Sequence, residues 1–181
     1  MMGRVDVVVR LADRDSADAL AAVHRAAALS GYAHIFPPDA PPPTWEEDLA
    51  RWEHWLGPDW DRGRRAHVAV VARRVVGVVL SGPDPEEPGV GHLARLYVDP
   101  SWWGRGVGTR LHAAALDHLV GRGDPEATLW VLEANDRARR WYERLGWRLG
   151  GRRKTTYAPA GIEDVQYRLT LPGPGNLTLR T

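Results

Sequence analysis

The chain has 181 residues and a mass of 20.1 kDa, a size typical of one domain with a single hydrophobic core. Its 24 basic and 23 acidic residues give a formal net charge of +1, which provides no electrostatic attraction for nucleic acid or an acidic membrane surface. The absence of cysteine excludes disulfides, thiolate metal sites and cysteine nucleophiles, and a mean hydropathy of −0.38 without a long apolar run argues against a membrane span. Because the N-terminus carries no secretory signal, we expect a cytoplasmic protein.

The first third of the chain predicts one strand and two helices. Val5 to Leu11 is a short β-branched run, and Ala17 to Ser30 carries apolar residues at helical spacing until Gly31 stops the pattern. The proline-rich residues 31–43 are expected to form an irregular loop, because proline lacks the N–H group and fixes φ. Thr44 has the capping-box spacing to a glutamate three residues later, so a second helix is expected to begin there.

The rest of the chain predicts six more strands and two more helices. The strands are His67 to Ala72, Val75 to Ser81, Gly91 to Val98, Thr128 to Leu132, Trp147 to Lys154 and Asp164 to Leu171. Arg73 and Arg74 would join the first two as a hairpin, although this pair is not a preferred tight turn and leaves the register open. One helix repeats apolar residues from Val107 to Leu119, and another opens at Asn135. The order β α α β β β α β α β β predicts a mixed sheet with helices on its faces, in one domain at 1–171 with a flexible tail at 172–181.

Three alternating glycines connect the strand at Gly91 to Val98 with the helix that begins at Val107. Gly104, Gly106 and Gly108 let the backbone approach a ligand closely, and the free N–H groups of the first helical turn point outward at the positive end of the helix dipole. This arrangement suits a phosphate or pyrophosphate, although the glycines would also suit a tight turn without a ligand. The spacing fits neither the dinucleotide-binding G-x-G-x-x-G pattern nor a P-loop, which disfavours a nucleotide-binding domain.

Two segments around this loop resemble the signature segments of the GNAT superfamily of N-acetyltransferases, which bind acetyl-CoA. They are LYVDPSWWGRGVGTRL at Leu96 to Leu111 and LWVLEANDRARRWYERLGW at Leu129 to Trp147. The resemblance implies an α/β (α+β) fold with a mixed, mostly antiparallel sheet of about seven strands and about four helices. It also implies that this sheet is splayed between its fourth and fifth strands, with the cofactor lying in the cleft.

The resemblance further implies how acetyl-CoA binds. In the family, the loop matching Trp103 to Gly108 holds the pyrophosphate through backbone amides, and the strand matching Leu96 to Val98 pairs its main chain with pantetheine. Asn135 matches an asparagine that hydrogen-bonds the pantetheine arm, and it also suits a helix cap. The residues expected to bind the cofactor are Leu96, Tyr97, Val98, Trp103, Gly104, Arg105, Gly106, Val107, Gly108, Thr109, Asn135 and Tyr142. Trp103 departs from the family, which usually has Arg or Gln there, so we expect Arg105 to supply positive charge.

Catalysis in such a fold is expected to be direct attack of the substrate amine on the thioester carbonyl, polarised by the amide of Val98. Tyr142 matches the tyrosine that the family places near the CoA sulfur, although its position on an apolar helix face also suits packing. His92 is the base candidate, because some family members carry a catalytic glutamate at this place on the strand. Alternation would set His92 on one face with Ala94, Leu96 and Val98, while a structural histidine is the alternative. Glu133 is the rival base.

The acceptor is expected to be a primary amine, with a protein terminus, a polyamine and an aminoglycoside-like molecule all open. Tyr32, Trp45 and Tyr157 are the residues expected to line its pocket, although the tryptophans of the second helix also suit core packing. His112 and His118 are expected on a helix surface, and the histidine spacing predicts no metal site. A non-catalytic acyl-CoA-binding module is the alternative function, and a homodimer stays open.

Overall fold

A computed structural model describes residues 6–58 and 63–173, which form seven strands and four α-helices. The strands are β1 (Val8–Leu11), β2 (Arg65–Val71), β3 (Arg74–Pro83), β4 (Gly91–Val98), β5 (Glu126–Leu132), β6 (Arg148–Tyr157) and β7 (Ile162–Thr170). The helices are α1 (Ala17–Tyr32), α2 (Trp45–Trp55), α3 (Val107–Gly121) and α4 (Asp136–Arg144). All strands belong to one sheet in the order β1-β2-β3-β4-β5-β7-β6, which confirms the predicted fold class.

The sheet opens between β4 and β5, the two parallel neighbours. Every other pair of neighbouring strands is antiparallel, and β4 and β5 pair only at Gly91 with Ala127 and at His92 with Thr128. Past His92 the strands diverge, while β5 continues along β7 over its whole length. The predicted splay is therefore confirmed, and it leaves one main-chain edge of β4 open from residue 93 onward.

Helices cover both faces of the sheet. On one face, Leu111 and Leu119 of α3 are fully buried against the sheet, and Tyr142 of α4 joins the same core. On the other face, Leu20 of α1 and Trp52 of α2 are fully buried against β2 and β3. Burying a large apolar side chain contributes about 1.5–3 kcal/mol, so these two cores hold the helices in place. The capping box of Thr44, with hydrogen bonds of 2.8 and 3.2 Å, is present as predicted.

Several predicted boundaries differ from the structure by a few residues, and two of these differences have a clear physical cause. Helix α1 continues through Gly31 to Tyr32, because glycine costs only about 1 kcal/mol in a helix and Tyr32 gains a hydrogen bond with Tyr97. The β2–β3 turn consists of Ala72 and Arg73, with φ of 45° and 66°, and not of Arg73 and Arg74. Positive φ at both central residues is the geometry of a type I′ turn, which follows the twist of the strands.

A β-bulge at Ala94 changes which residues of β4 share a face. Leu80 pairs with Arg95 and the next residue of β3 pairs with Leu93, so Ala94 is the extra residue. As a result Leu93, Leu96 and Val98 face the α3 core, whereas Ala94 and Tyr97 face the α1–α2 core. The prediction that His92 shares a face with Leu96 and Val98 is therefore wrong, since strict alternation assumes an unbroken strand.

The ends of the predicted domain lie partly outside the described residues. The start of the first predicted strand, at Val5, and residues 174–181 of the predicted tail belong to this part. The extent of the domain at 1–171 stays a prediction. None of the helices in the described ranges combines the length and apolar character needed to cross a bilayer.

Candidate active site

The glycine loop forms a backbone turn that only glycine adopts readily. Gly104 and Gly106 have φ of +74° and +78°, and a Cβ atom built on either would meet nothing within 4 Å. The backbone conformation, and not crowding, therefore requires glycine at both positions. The first hydrogen bond of α3 runs from the amide of Arg110 to the carbonyl of Gly106, so the amides of residues 107–109 have no partner inside the helix. These amides and the helix dipole together provide an anion-binding surface.

Two tryptophans and two arginines flank the glycine loop. The indole Nε1 of Trp103 donates to the carbonyl of Val98 at 2.8 Å, and the guanidinium of Arg137 lies 3.9 Å from the centre of the Trp103 ring. Arg105 lies 5.2 Å from the ring centre of Trp102. Arg137, the second residue of α4, was not identified from sequence, because its position beside the loop arises from the packing of α4 against β4 and α3. Arg137 therefore places an exposed positive charge beside the loop at the position of Trp103, whose side chain carries no charge.

The open edge of β4 presents main-chain groups to the cleft. The amide of Asp99 donates to Val76 on β3 at 2.9 Å. Because successive residues of a strand direct their N–H and C=O groups to opposite sides, the main chains of Leu96 and Val98 face away from β3 and toward the gap. The bond from Trp103 to the Val98 carbonyl agrees with this orientation.

Three tyrosine side chains meet near this edge. Tyr97 stacks on His24, with ring centres 4.1 Å apart, and its hydroxyl shares a hydrogen bond with Tyr32. Tyr142 of α4 is close enough to Tyr97 for a negative charge on Tyr97 to oppose ionisation of Tyr142. Burial raises the pKa of all three phenols, so each keeps its proton at neutral pH. The structure thus brings Tyr32, Tyr97 and Tyr142 together.

His92 belongs to a buried polar chain across the last paired residues of β4 and β5. Its Nδ1 lies 2.9 Å from the hydroxyl of Thr128, which in turn donates to Asp84. Since the carboxylate can only accept, the Thr128 oxygen accepts from Nδ1–H of His92, which leaves Nε2 as the basic atom. Burial lowers the pKa of His92 to about 4, against the opposing effect of Asp84, whose Oδ2 lies 3.5 Å from Nδ1.

The carboxylate of Asp84 was missed by the sequence analysis, which assigned no role to the residues between the strands β3 and β4. Its Oδ1 accepts the amides of Glu86 and Glu87 at 2.8 and 3.0 Å. Glu87 in turn pairs with Arg168 of β7 at 2.8 Å. The local sequence signal for such a turn is an aspartate whose side chain can accept hydrogen bonds from the amides two and three residues later. The proximity of Asp84 to His92 is a tertiary contact that this signal does not predict.

The rival base Glu133 is already engaged. Both of its carboxylate oxygens accept from Arg153, at 2.6 and 2.7 Å. This side-chain hydrogen bonding lowers the pKa of Glu133. Its side chain is 40% exposed, and a carboxylate held in this way is a weaker base than an ordinary one.

A cavity of about 340 Å³ lies over the point where β4 and β5 part. Its lining includes His92 and Ala94 from β4, Trp130 from β5, Trp55 from α2 and Lys154 from β6. The bulge at Ala94 brings His92 to this cavity on the α1–α2 side of the sheet. The sequence analysis did not identify Trp130 or Lys154, because the cavity is built from several elements that are distant in sequence, β3 among them.

The predicted acceptor residues are only partly brought together. Tyr32 and Tyr157 both approach Phe36, with ring centres 6.3 and 5.8 Å from it. Trp45, the first residue of α2, is 38% exposed and does not line the cavity at His92. Asn135 caps α4, with its Oδ1 accepting the amide of Ala138 at 3.1 Å, which leaves its amino group as the donor for a ligand.

His112 is not on the surface as predicted. It is 5% exposed, and its Nε2 accepts the indole N–H of Trp147 at 2.9 Å. Burial lowers its pKa to about 4. His118 is half-buried, with Nδ1 2.9 Å from the Ser81 hydroxyl. Across residues 6–58 and 63–173, no three His, Asp or Glu side chains gather in a way that suits a metal ion.

Comparison with known proteins identifies the family. The model of the acetyltransferase (GNAT) family matches residues 26–147, more than half of the chain. The mycothiol acetyltransferase of Mycobacteroides abscessus is 35% identical over 113 residues, which are 57% of this chain and 37% of that protein. The chain therefore corresponds to well under half the length of this relative.

Solved structures share the fold at low sequence identity. A GCN5-related N-acetyltransferase from Kribbella flavida superposes with a TM-score of 0.71 at 22% identity, over 91% of this chain and 98% of that one. The PaiA N-acetyltransferase of Thermoplasma acidophilum, solved in complex with coenzyme A, gives 0.67 at 15% identity, over 91% and 99%. The chain belongs to the GNAT acetyltransferase family, which confirms the family that the sequence predicted.

Proposed function

We propose that this enzyme transfers an acetyl group from acetyl-CoA to a primary amine by direct attack within a ternary complex. The observation that carries the proposal is the meeting of three features at one cleft. These are the free amides at the start of α3, the open edge of β4, and the buried chain from His92 to Asp84 where the cleft begins. The free amides suit the binding of a phosphate anion, and the open strand edge suits pairing with an extended amide-bearing arm. The chain from His92 to Asp84 can accept a proton.

The chain's residues fit a phosphate-bearing thioester. Amides of residues 106–109 would hold the pyrophosphate, and Arg137 beside Trp103 would supply the charge that the indole lacks. Leu96 and the amino group of Asn135 would pair with pantetheine. The carbonyl of Val98 already accepts from Trp103, which leaves its amide as the free group of that residue on the gap side. Acetyl-CoA would supply the activated thioester.

His92 would accept the proton that the attacking amine loses. Because the bulge residue Ala94 adds no length to the pairing, five steps of about 3.3 Å place Val98 about 17 Å along β4 from His92, and three steps place Leu96 about 10 Å away. The amide of Leu96 is therefore better placed than that of Val98 to polarise a thioester near the base, and His92 would act through water. A pKa of about 4 keeps the imidazole neutral at physiological pH, and Asp84 would stabilise the imidazolium that forms.

Tyr142 would donate a hydrogen bond to the departing sulfur. An acceptor that enters as an ammonium first releases one proton to solvent by way of His92, and the neutral amine then attacks. The C–N bond forms as the C–S bond breaks, the second proton on the nitrogen goes to His92, and the thiolate is stabilised by the phenol. Because burial raises the pKa of Tyr142 above that of a thiol, complete proton transfer to the sulfur is uphill. A lysine-like amine has a pKa of about 10.4, so removing its proton is the larger task and the base should matter more than Tyr142.

An amine screen that measures released CoA thiol tests this proposal. Acetyl-, propionyl- and longer acyl-CoA donors are offered with a panel of primary amines, and acetyl-CoA is expected to support the fastest release. His92→Gln is expected to lower kcat by about 10²–10⁴-fold, the usual contribution of general base catalysis, with CoA affinity unchanged.

His54→Gln is the matched control, because His54 is an exposed residue of α2 outside the cavity at His92. It should keep the wild-type rate. If the protein binds CoA but none of the amines causes release of CoA thiol, the alternative of a non-catalytic acyl-CoA-binding module replaces the enzyme. Wild-type turnover in His92→Gln would remove His92 from the mechanism.

A further inference from the structure

Arg95 and Lys154 are two of the cationic side chains that line the cavity at His92. Three other arginines of this region are paired: Arg152 with Glu86 and Glu87, Arg153 with Glu133 and Glu163, and Arg168 with Glu87 and Glu126. In the part of the chain that the structure describes, no carboxylate lies within 4.0 Å of Arg95 or Lys154. Both line the cavity, and Lys154 is the only lysine among the 24 basic residues of the chain.

Both cations lie over aromatic walls of the same cavity. The ammonium of Lys154 is 4.3 Å from the ring centre of Trp130, and the guanidinium of Arg95 is 5.2 Å from that of Trp55. Glu86 also lines the cavity, but its carboxylate is bound to Arg152 at 2.6 Å. The aromatic faces hold the two cations in place without neutralising them, so their charge remains available to a ligand.

Arg95 and Lys154 act electrostatically on the groups around the cavity. Both lower the pKa of His92 beyond the effect of burial, whereas Asp84 raises it by more than either of them lowers it. Burial lowers the pKa of Lys154 and Arg95 adds to this, while Asp164, Glu86 and Asp84 raise it. An anionic group placed between the ammonium of Lys154 and the guanidinium of Arg95 would be attracted by both, and a cationic group at that position would be repelled.

We infer that the acceptor is a small primary amine that also carries an anionic group, a carboxylate or a phosphate. The anion would bind between Arg95 and Lys154, the carbon skeleton would pack on Trp55 and Trp130, and the amine would face His92. The inference rests on the proposed acetyl transfer and adds the class of acceptor. The cavity of about 340 Å³ is at the small end of ligand sites, which suits a molecule of amino-acid size.

The cations would also assist the reaction. A positive environment disfavours a second positive charge, so it would lower the pKa of a bound amine and increase the neutral, nucleophilic fraction. The anion of the acceptor would offset the repulsion that the ammonium meets on entry. An acceptor with both groups therefore gains binding from one and reactivity from the other.

Matched amine pairs test this inference with CoA thiol release and with calorimetric binding in the presence of CoA. L-Phenylalanine is compared with phenethylamine and with its methyl ester, and O-phosphoethanolamine with ethanolamine, while spermidine represents polycations. The anionic member of at least one pair should be preferred by about tenfold or more in kcat/KM or in affinity. The preferred pair shows whether the anion is a carboxylate or a phosphate.

Variants of the two cations show whether they cause the preference. Lys154→Gln and Arg95→Gln should each reduce the preference about ten- to hundredfold, which corresponds to the loss of a charged hydrogen bond, with CoA affinity unchanged. Lys154→Arg should restore most of it. Arg148→Gln removes an exposed cation from the other end of β6 and should change nothing.

Each other outcome is decisive. Preference for neutral amines or spermidine, no difference within any pair, or a preference for anions that survives both substitutions would overturn the inference and leave the acetyltransferase proposal standing. Failure to bind CoA, with no thiol release from any amine, would overturn the proposed function and the inference together.

Discussion

Replacing Gly106 by valine isolates the role of the glycine loop, because a matched glycine exists at the other end of α3. Gly106 and Gly123 have φ of +78° and +85°, and a Cβ built on either meets nothing within 4 Å. The left-handed conformation costs a residue with a Cβ about 1–2 kcal/mol. Both variants should therefore lose similar stability, with Tm lowered by about 2–8 °C.

Only Gly106→Val should lose CoA. Relaxing φ at residue 106 turns the amides of residues 106–109, and two lost charged hydrogen bonds of about 1.5–3 kcal/mol each amount to about 3–6 kcal/mol. At 1.36 kcal/mol per tenfold change, CoA affinity should fall by a factor of about 100 or more. Gly123→Val should keep the wild-type affinity.

Calorimetric titration of CoA into the two variants, together with thermal shifts without ligand, measures both quantities. Equal thermal losses with a selective loss of affinity would confirm that the loop binds phosphate. Wild-type affinity in Gly106→Val, or an equal loss in Gly123→Val, would show that the diphosphate is held elsewhere and would refute the site.

Three further predictions concern single groups. Tyr142→Phe should lower kcat by about tenfold, less than His92→Gln, with CoA affinity unchanged; steady-state rates with full activity would reduce Tyr142 to packing. Because the pKa of His112 is about 4 when folded and 6.5 when unfolded, the unfolding free energy should fall as pH drops from 6.5 to 4, by up to about 1.4 kcal/mol per pH unit for each such histidine. His112→Gln should reduce that slope by one proton in urea denaturation, and an unchanged slope would contradict the burial argument. Ala72→Asn combined with Arg73→Gly should raise Tm by about 2–4 °C or more in calorimetry with activity unchanged, because both positions have positive φ; no gain would contradict the turn assignment.

The elements that the sequence predicted well are those determined by neighbouring residues. The strand from Gly91 to Val98 agrees at both ends, because an apolar run is bounded there by breakers. The capping box of Thr44 depends on residues three apart and was equally visible. By contrast, Gly31 was taken as a stop because local propensity alone disfavours it, and the hydrogen bond of Tyr32 with Tyr97 comes from tertiary packing.

The candidate site was predicted where a linear motif carries it and missed where distant segments meet. The glycine loop and the cap at Asn135 follow from spacing. The stacking of Arg137 on Trp103 and the approach of Asp84 to Thr128 join residues 34 and 44 positions apart, which no local pattern encodes. Asp84 is also held by a turn whose acidic residues bind across β6 and β7, so its position depends on strands near the end of the chain.

The bulge at Ala94 explains how one strand can serve both halves of the proposed reaction. Without it, His92 would face the α3 core with Leu96 and Val98, and the cavity beside Lys154 would have no base. With it, the main chain past the bulge stays on the open edge while His92 turns to the opposite face of the sheet. In the proposed reaction, the loop near α3 would bind the phosphate while His92 accepts a proton on the α2 side of the sheet. One ligand could reach both, because the gap between β4 and β5 connects the two faces. The extra residue therefore places His92 on the face opposite to Leu96 and Val98. An unbroken strand would keep the three side chains on one face, because alternation repeats every second residue.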